Sequence, residues 1–467
     1  MKKISTKVDM TGQNIIKNMA IFAIPLMLSS WLQLSFNLAD YIICGFLVSD
    51  LAVGAIGATG SICSLIVDLF IGLSVGVNVI VSNAFGAKDK DKAERIIGSS
   101  TLLGLIAGCV LILVGIFCSR YFLKLMGTSE NMIDMSTDYM VIYFIGAPFL
   151  LLYNFASASL RGMGNSFKPF IYLTTGGIIN VILNIILVLP PFNMGVRGLA
   201  IATVSSEVVS SVLCYITLFR GKEFASFKFK HLRFYKVETT QMLKIGVPAG
   251  IQSMMFDLAN VLIQSHVNSF GDSTVTGDSS AQRLIAFVYN GANAFSQAGV
   301  AFVASNLGAK NTDGVKKSIK WCIIYCICVD ALLSSIELLL RKPLLGLIIH
   351  PGDDMEYYNK AMEIAQLCMF INLGTHILMA CVDCFASLER GLGESNLPAI
   401  VSFLGICVVR VVYVFTLFNL PELHHMQYLY LAYPVSWIIT ATAHGICLYF
   451  VAKKRVFNKK IKEENLS

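Results

Sequence analysis

Ile24–Asp40 reads IPLMLSSWLQLSFNLAD, and Val247–Ile263 reads VPAGIQSMMFDLANVLI. Each opens on an apolar residue followed by proline, and each carries polar residues at turn-like intervals inside an apolar run. A helix needs about 20 apolar residues to cross a bilayer. Only helices and closed barrels satisfy the backbone in lipid, and runs of this length are helices. Pro25 and Pro248 stand 223 positions apart, and Asn37 with Asn260 and Ser82 with Ser305 keep the same offset. The chain therefore carries an internal repeat of membrane-spanning segments.

Outward from these two segments the apolar pattern continues. Further runs centre near Leu69, Ala107, Phe144, Ile179, Val209, Ala292, Val329, Phe370, Ile406 and Ile438, giving about twelve with those near Trp31 and Leu258. The composition agrees, since only 14% of the 467 residues are charged and 55% are hydrophobic. A soluble domain carries about 25% charged residues. Too few charges for a water-facing surface exclude a soluble enzyme, a nucleic-acid-binding module and a disordered chain. The 13 cysteines are scattered through apolar runs without the paired spacing of a secreted disulfide scaffold. The first apolar run is too long for a cleavable signal peptide and is followed by more of its kind.

Two more blocks match between the halves. SNAFGAKDKD at 82–91 faces SNLGAKNTD at 305–313, and NFASASLRGMGNSFKP at 154–169 faces DCFASLERGLGESNLP at 383–398. Three matched blocks in the same order predict two repeats of six spans each. An even number of spans gives both repeats the same orientation, related by a pseudo-two-fold axis along the membrane normal, with a site at their interface. The fold expected is all-α integral membrane, with an N-lobe over 1–220, a basic cytoplasmic linker over 221–240, and a C-lobe with a cytoplasmic tail over 241–467.

The formal net charge of +7 resolves into an asymmetry of the loops. The N-terminus, every second loop and the tail together carry 28 Lys and Arg, including Lys88, Lys90, Lys92, Arg95, Arg161, Lys168, Arg390 and Lys453–Lys462. The opposite side carries seven: Arg120, Lys124, Arg197, Arg283, Arg341, Lys342 and Lys360. Positive charge marks the cytoplasmic side, so both termini are expected in the cytoplasm of a cell membrane, of the bacterial inner-membrane kind.

At this point the residues resemble a known family. The IP…FNLAD opening, the GAK loops, the doubled RGxGxS…P element and GLAIATVSSE at 198–207 are similar to those of multidrug and toxic compound extrusion (MATE) transporters, from near Ile15 to near Val451. The resemblance implies two six-helix lobes around a large central cavity. It also implies antiport that exports small, cationic amphiphilic molecules against inward H⁺ or Na⁺ by alternating access, with no other cofactor. The chain is expected to work as a monomer in the lipid bilayer without a nucleic-acid partner.

An ionisable group inside a span costs about 2.5–3.5 kcal/mol on insertion scales and needs a partner or a wet cavity. Gln33, Asn37 and Asp40 share one helical face. A carboxylate there can take a proton or join amide oxygens around Na⁺, a hard cation. The resemblance makes Asp40 the cation-coupling residue. Asn180 and Asn184 lie one turn apart in the fifth span, and Thr203, Ser206 and Glu207 in the sixth. In one branch of the family the N-lobe site has Asn and Asp at the two fifth-span positions and Thr in the sixth. Asn180 and Thr203 match that pattern, whereas Asn184 replaces the Asp and puts a tight Na⁺ site in doubt. Glu207 stands where relatives often have Gln; it either carries the displaced carboxylate or pairs with an amide for packing.

Ser253, Asp257, Asn260, Gln264 and Asn268 make a continuous polar face through the seventh span. Asn290, Asn293 and Gln297 lie in the eighth, and Asn372, His376 and Asp383 in the tenth. Another branch of the family places an acid like Asp257 in a C-lobe cation site, with Asp383 roughly where its second acid would be. Asp383 also lies near the cytoplasmic end of its span, where it can contact Arg390 instead. Gln33, Asn37, Asn154, Asn260, Gln264, Asn290, Asn293 and Gln297 are expected to line the substrate cavity. Asp68 and Asp330 lie mid-span, and Arg410, alone in the eleventh, is expected to pair with an acid. Trp31, Tyr153, Phe256, Phe287 and Tyr289 can stack on a flat cation or simply pack. Pro25 and Pro248 lack an N–H and weaken the helix ladder; the resemblance makes Pro25 a hinge.

Several motifs dissolve in context. GLSVG at Gly72–Gly76 fits G-x-S-x-G but sits inside a span, not at a strand–helix turn. Gly72/Gly76 and Gly104/Gly108 read better as small-residue helix contacts. Cys381 and Cys384 form C-x-x-C on a membrane helix and read as free buried thiols. The seven His give no H-E-x-x-H and no zinc cluster, and no P-loop is present, so neither an enzyme nor a resident metal is expected. The alternative is a flippase for a lipid-linked saccharide, but its phosphate would want Arg or Lys in the cavity, where acids and amides prevail.

Overall fold

The computed structural model describes residues 7–351 and 354–457. Lys2, Lys3, Lys459, Lys460 and Lys462, counted above among the cytoplasmic charges, lie outside the described residues. The first six helices are α1 (Ile15–Leu47), α2 (Asp50–Gly86), α3 (Lys90–Leu125), α4 (Glu130–Gly162), α5 (Phe167–Val188) and α6 (Gly195–Phe219). After a short 3₁₀ turn at Phe229–His231 come α7 (Lys236–Asn268), α8 (Asp272–Gly308), α9 (Thr312–Leu339), the short α10 (Arg341–Gly346) and α11 (Met355–Gly391). The next stretch is α12 (Asn396–Ser402), a π-helical segment Phe403–Val408 and α13 (Val409–Phe415), and α14 (Met426–Ala452) follows. No strand occurs among the described residues, and the architecture is all-α, as the apolar runs require.

Each of the twelve run centres falls in its own helical stretch. Ten stretches are long and apolar enough to cross a membrane; of the long helices only α7 and α8 fall short of that measure among the described residues. They are the helices with the densest polar faces, so polar residues hide a span from hydropathy without breaking the helix.

Helix ends follow local chemistry. Ser49 caps α2 by accepting from Ala52 N–H, and Asp89 caps α3 by accepting from Lys92 N–H. The repeat extends to backbone conformation. Lys88 and Lys310, the lysines of the two GAK loops, both take the left-handed conformation, with φ of 57° and 55°. Each closes the same helix-ending turn: Asp89 N–H reaches Ala84 O and Asn311 N–H reaches Asn306 O, both at 2.9 Å. Gly164 and Gly393 of the doubled RGxG element likewise have φ of 80° and 87°. A non-glycine residue at positive φ is uncommon, so its recurrence at matched lysines marks one supersecondary unit used twice.

The chain forms two compact units. The first holds Ile21–Gly250, the segment up to Asn14, and Ala304–Asn311. Its core includes Leu111, Leu123, Ile133, Met140, Phe144 and Leu151, from α3 and α4. Small residues set its closest crossings. A Cβ on Gly72 would collide with the backbone of Gly250, one on Gly76 with Met242 O, and one on Gly108 with Pro148. The basic segment between α6 and α7 is docked rather than loose. Glu94 of α3 accepts from Ser226 (3.0 Å) and Lys228 (2.6 Å), while buried Glu223 takes Lys168 (2.5 Å) and Lys7 (3.0 Å).

The second unit holds Ile15–Ala20, Ile251–Val303 and the chain from Thr312 onward. One buried cluster in it includes Leu345, Cys368, Met369, Phe418 and Tyr430. Pro25 is buried inside α1, which continues through it unbroken, and Pro248 lies inside α7.

Candidate functional site

In the first unit three helices bring one carboxylate against two amides. Gly177 of α5 leaves room for the ring of Phe36 on α1, and Gly176 leaves room for Ser206 and Ser210 on α6. Small residues at such positions let helices approach closely. Asn180 and Asn184, one and two turns further along α5, therefore face inward and are 4% and 0% exposed. Asn184 donates through Nδ2 to Asp40 Oδ1 at 2.5 Å and lies 3.3 Å from Asn180 Oδ1, while Asn180 Nδ2 lies 3.4 Å from Thr203 Oγ1. Four of the residues named from sequence thus form one chain from α1 through α5 to α6.

Glu207 lies one turn beyond Thr203 but stands outside this chain. Its Oε2 is buried without a hydrogen-bond partner, so the amide pairing considered above is not what holds that oxygen. Gln33 and Asn37, on the same stripe as Asp40, are exposed. Asn154 bonds back to Leu150 O of its own helix at 2.9 Å.

The second unit divides its polar residues among separate groups. Asn293 Nδ2 donates to Asp383 Oδ2 at 2.9 Å, and Gln297 Nε2 donates to Asn293 Oδ1 at 2.8 Å. Arg390 turns to Gln252 Oε1 (2.7 Å), and no salt bridge joins it to Asp383 among the described residues. Asp257 is half-buried on α7. Gln264 bonds to Asn268 on its own helix, and Asn290 bonds to Ala286 O of its own.

Arg410 corrects the expectation of an acidic partner. Its guanidinium, 2% exposed, donates to Asn260 Oδ1 (2.8 Å) and Ser436 Oγ (3.2 Å) and lies 4.5 Å from the Tyr433 ring centroid. An amide oxygen, a hydroxyl and a π face supply the electron density that a carboxylate would. Asn260 is thereby committed to Arg410.

Three buried ionisable groups escaped the sequence reading as groups. Asp330 on α9 lies 2.5 Å from His376 Nδ1 on α11, with Trp437 edge-on to the imidazole. Glu389, His444, Ser402, Gln252 and Arg390 form one continuous network joining α7, α11, α12 and α14. Asp278 accepts from Tyr430 at 3.0 Å. An ionisable residue inside a span was the available signal, and it applied to Asp278, Glu389 and His444 as much as to Asp40.

Twelve long helical stretches among the described residues, a duplicated supersecondary unit and carboxylates chained to amides define a repeat-built membrane transporter. The MatE family model matches residues 25–186 and again 248–416, once in each half and with the offset of the proline pair. The chain belongs to the MatE family of multidrug efflux transporters; it is a multi-pass membrane protein and not an enzyme. Among relatives, it is 25% identical over 454 residues to the probable multidrug resistance protein YoeA of Bacillus subtilis (strain 168), covering 96% of each chain. It is 32% identical over 305 residues to the probable multidrug resistance protein YpnP of the same organism, covering 65% of this chain and 67% of the relative. The fold matches the crystal structure of MATE in complex with MaL6 with a TM-score of 0.88 at 18% identity, over 96% of this chain and 98% of the other.

Proposed function

We propose that the chain exports small organic cations across a bacterial inner membrane in exchange for inward H⁺, with Asp40 as the proton-carrying group and both termini in the cytoplasm. One observation carries the reading: Asp40 is held by Asn184, a side chain able to serve both protonation states. Its NH₂ donates to the carboxylate as observed at 2.5 Å. Rotated about its terminal bond, its Oδ1, buried and without a partner, would accept from the protonated acid. In that state Asn180 would rotate with it, turning its NH₂ to Asn184 and its Oδ1 to the Thr203 hydroxyl, which can donate as well as accept. Na⁺ would find oxygens in the same set, but with a single carboxylate in the chain a proton neutralises the charge without any further ligand. One inward charge releases about 2.3 kcal/mol per 100 mV, enough to shift an equilibrium about fifty-fold.

The names of the relatives support a small-molecule drug-like substrate. A phosphate-bearing lipid-linked saccharide is disfavoured, because Arg410 is already engaged by Asn260, Ser436 and Tyr433. Proteoliposomes loaded with a cationic fluorescent dye and given H⁺ and Na⁺ gradients separately provide the test. Dye movement driven by the H⁺ gradient alone is the expected result; movement driven only by Na⁺ would replace the proton in this mechanism.

A further inference from the structure

Thirteen cysteines lie scattered along the sequence, yet three of them converge. Cys322 and Cys326 stand one turn apart on α9, and Cys384 faces them from α11; the three Sγ atoms lie within 4.8 Å of one another. Cys322 Sγ and Cys384 Sγ are 3.6 Å apart, and the three residues are 0%, 0% and 1% exposed. The surroundings hold the sulfurs in place. The Cys322 thiol donates to Phe295 O at 3.5 Å, the Cys326 thiol to Ala292 O at 3.9 Å, and Ser296 Oγ lies 3.3 Å from Cys326 Sγ. Gly299 leaves the room that Cys322 fills, since a Cβ there would collide with its Sγ. None of these residues belongs to the group proposed for transport.

Packing asks a buried cysteine only to be small and apolar; it does not ask three sulfurs to meet. Three sulfurs arranged trigonally at about 2.3 Å from a metal stand about 4.0 Å apart, the scale of the spacing seen here. We propose that Cys322, Cys326 and Cys384 form a binding site for a soft, thiophilic cation, staple α9 to α11 when occupied, and leave hard oxygen-seeking cations unbound. Thiol and thiolate ligands select soft metals. A divalent cation would replace two S–H bonds by two S–metal bonds, release two protons to solvent and keep the third sulfur as a neutral donor. No oxidant is involved, and the buried site gains no net charge, which avoids the cost of an unpaired ion in a low-dielectric interior.

The test uses the reduced full-length protein in detergent, with exposed Cys109 and Cys328 changed to serine, titrated with Cd²⁺ alone. The expected result is one Cd²⁺ per chain, about two protons released per ion, three sulfur ligands by X-ray absorption, and a raised melting temperature. Cys384→Ala should weaken binding at least 100-fold and lower the sulfur count, and Gly299→Ala, which crowds Cys322, should weaken it while sparing all three thiols. Fewer than three sulfurs around the ion in the unsubstituted cluster, or Cd²⁺ binding that survives Cys322→Ala combined with Cys384→Ala, would overturn the site. Since the coordination count needs no cluster variant to fold, a misfolded substitution does not shield the proposal.

Discussion

Asn184 on α5 donates its amide hydrogen to Asp40 on α1 at 2.5 Å, and its own carbonyl oxygen is buried without a partner. The amide is thus half used, and the unused half is what a protonated Asp40 would need. If Asp40 carries the proton, Asp40→Asn should reduce cationic-dye efflux from whole cells more than tenfold while the protein remains at normal abundance in the membrane. Dye retention by fluorescence checks the first quantity, and immunoblotting of membranes the second. Efflux at the level of the unaltered protein would remove Asp40 from the coupling step.

The same contact predicts what a second acid would do. Asn184→Asp sets two carboxylates side by side, and like charges that close cannot both ionise without a compensating cation. The variant should either share one proton or hold Na⁺, so Na⁺-stimulated dye transport should appear in proteoliposomes where the unaltered protein shows none. Asn184→Ala, which removes the donor and adds no charge, should lower H⁺-driven transport without creating a Na⁺ response. A Na⁺ response in the unaltered protein equal to that of Asn184→Asp would contradict the proton assignment.

Close backbone contact gives a prediction about stability alone. A Cβ on Gly72 would meet the backbone of Gly250, which cannot rotate away, whereas one on Gly57 would meet nothing within 4 Å. Overpacking of this kind costs typically about 1–3 kcal/mol. Gly72→Ala should therefore lower the melting temperature of the detergent-solubilised protein by several degrees, and Gly57→Ala should leave it nearly unchanged. Equal midpoints for the two variants would show that α2 and α7 do not cross at this distance.

The apolar runs and the duplicated blocks made the all-helical fold legible in the sequence, because burial in lipid leaves the backbone few alternatives. Partnerships between helices were less so. Asn180, Asn184, Thr203 and Asp40 could be named together through the resemblance, but periodicity places residues only on a face of their own helix and is silent about what that face meets. Arg410 shows the consequence: an isolated cation in a span implies an acid by charge balance, and the structure supplies Asn260, Ser436 and Tyr433. Cys384 shows it again: Cys381 is its C-x-x-C neighbour in sequence, whereas its sulfur partners lie on α9.

Asp330 and His376 show what such a partnership does to stability. Each was visible in the sequence as an isolated ionisable residue; together they make a 2.5 Å contact at 0% and 2% exposure. Removing one member of a buried pair leaves the other desolvated and uncompensated, at a cost of about 3–5 kcal/mol, whereas replacing both with apolar groups is often near neutral. Asp330→Leu and His376→Phe should each lower the thermal midpoint strongly, and the double variant should be more stable than either single one. In a double-mutant cycle the coupling should exceed about 1 kcal/mol, within the range found for residues in direct contact. Midpoints that simply add would mean that the two side chains are held independently, Asp330 by α9 and His376 by its packing on Trp437.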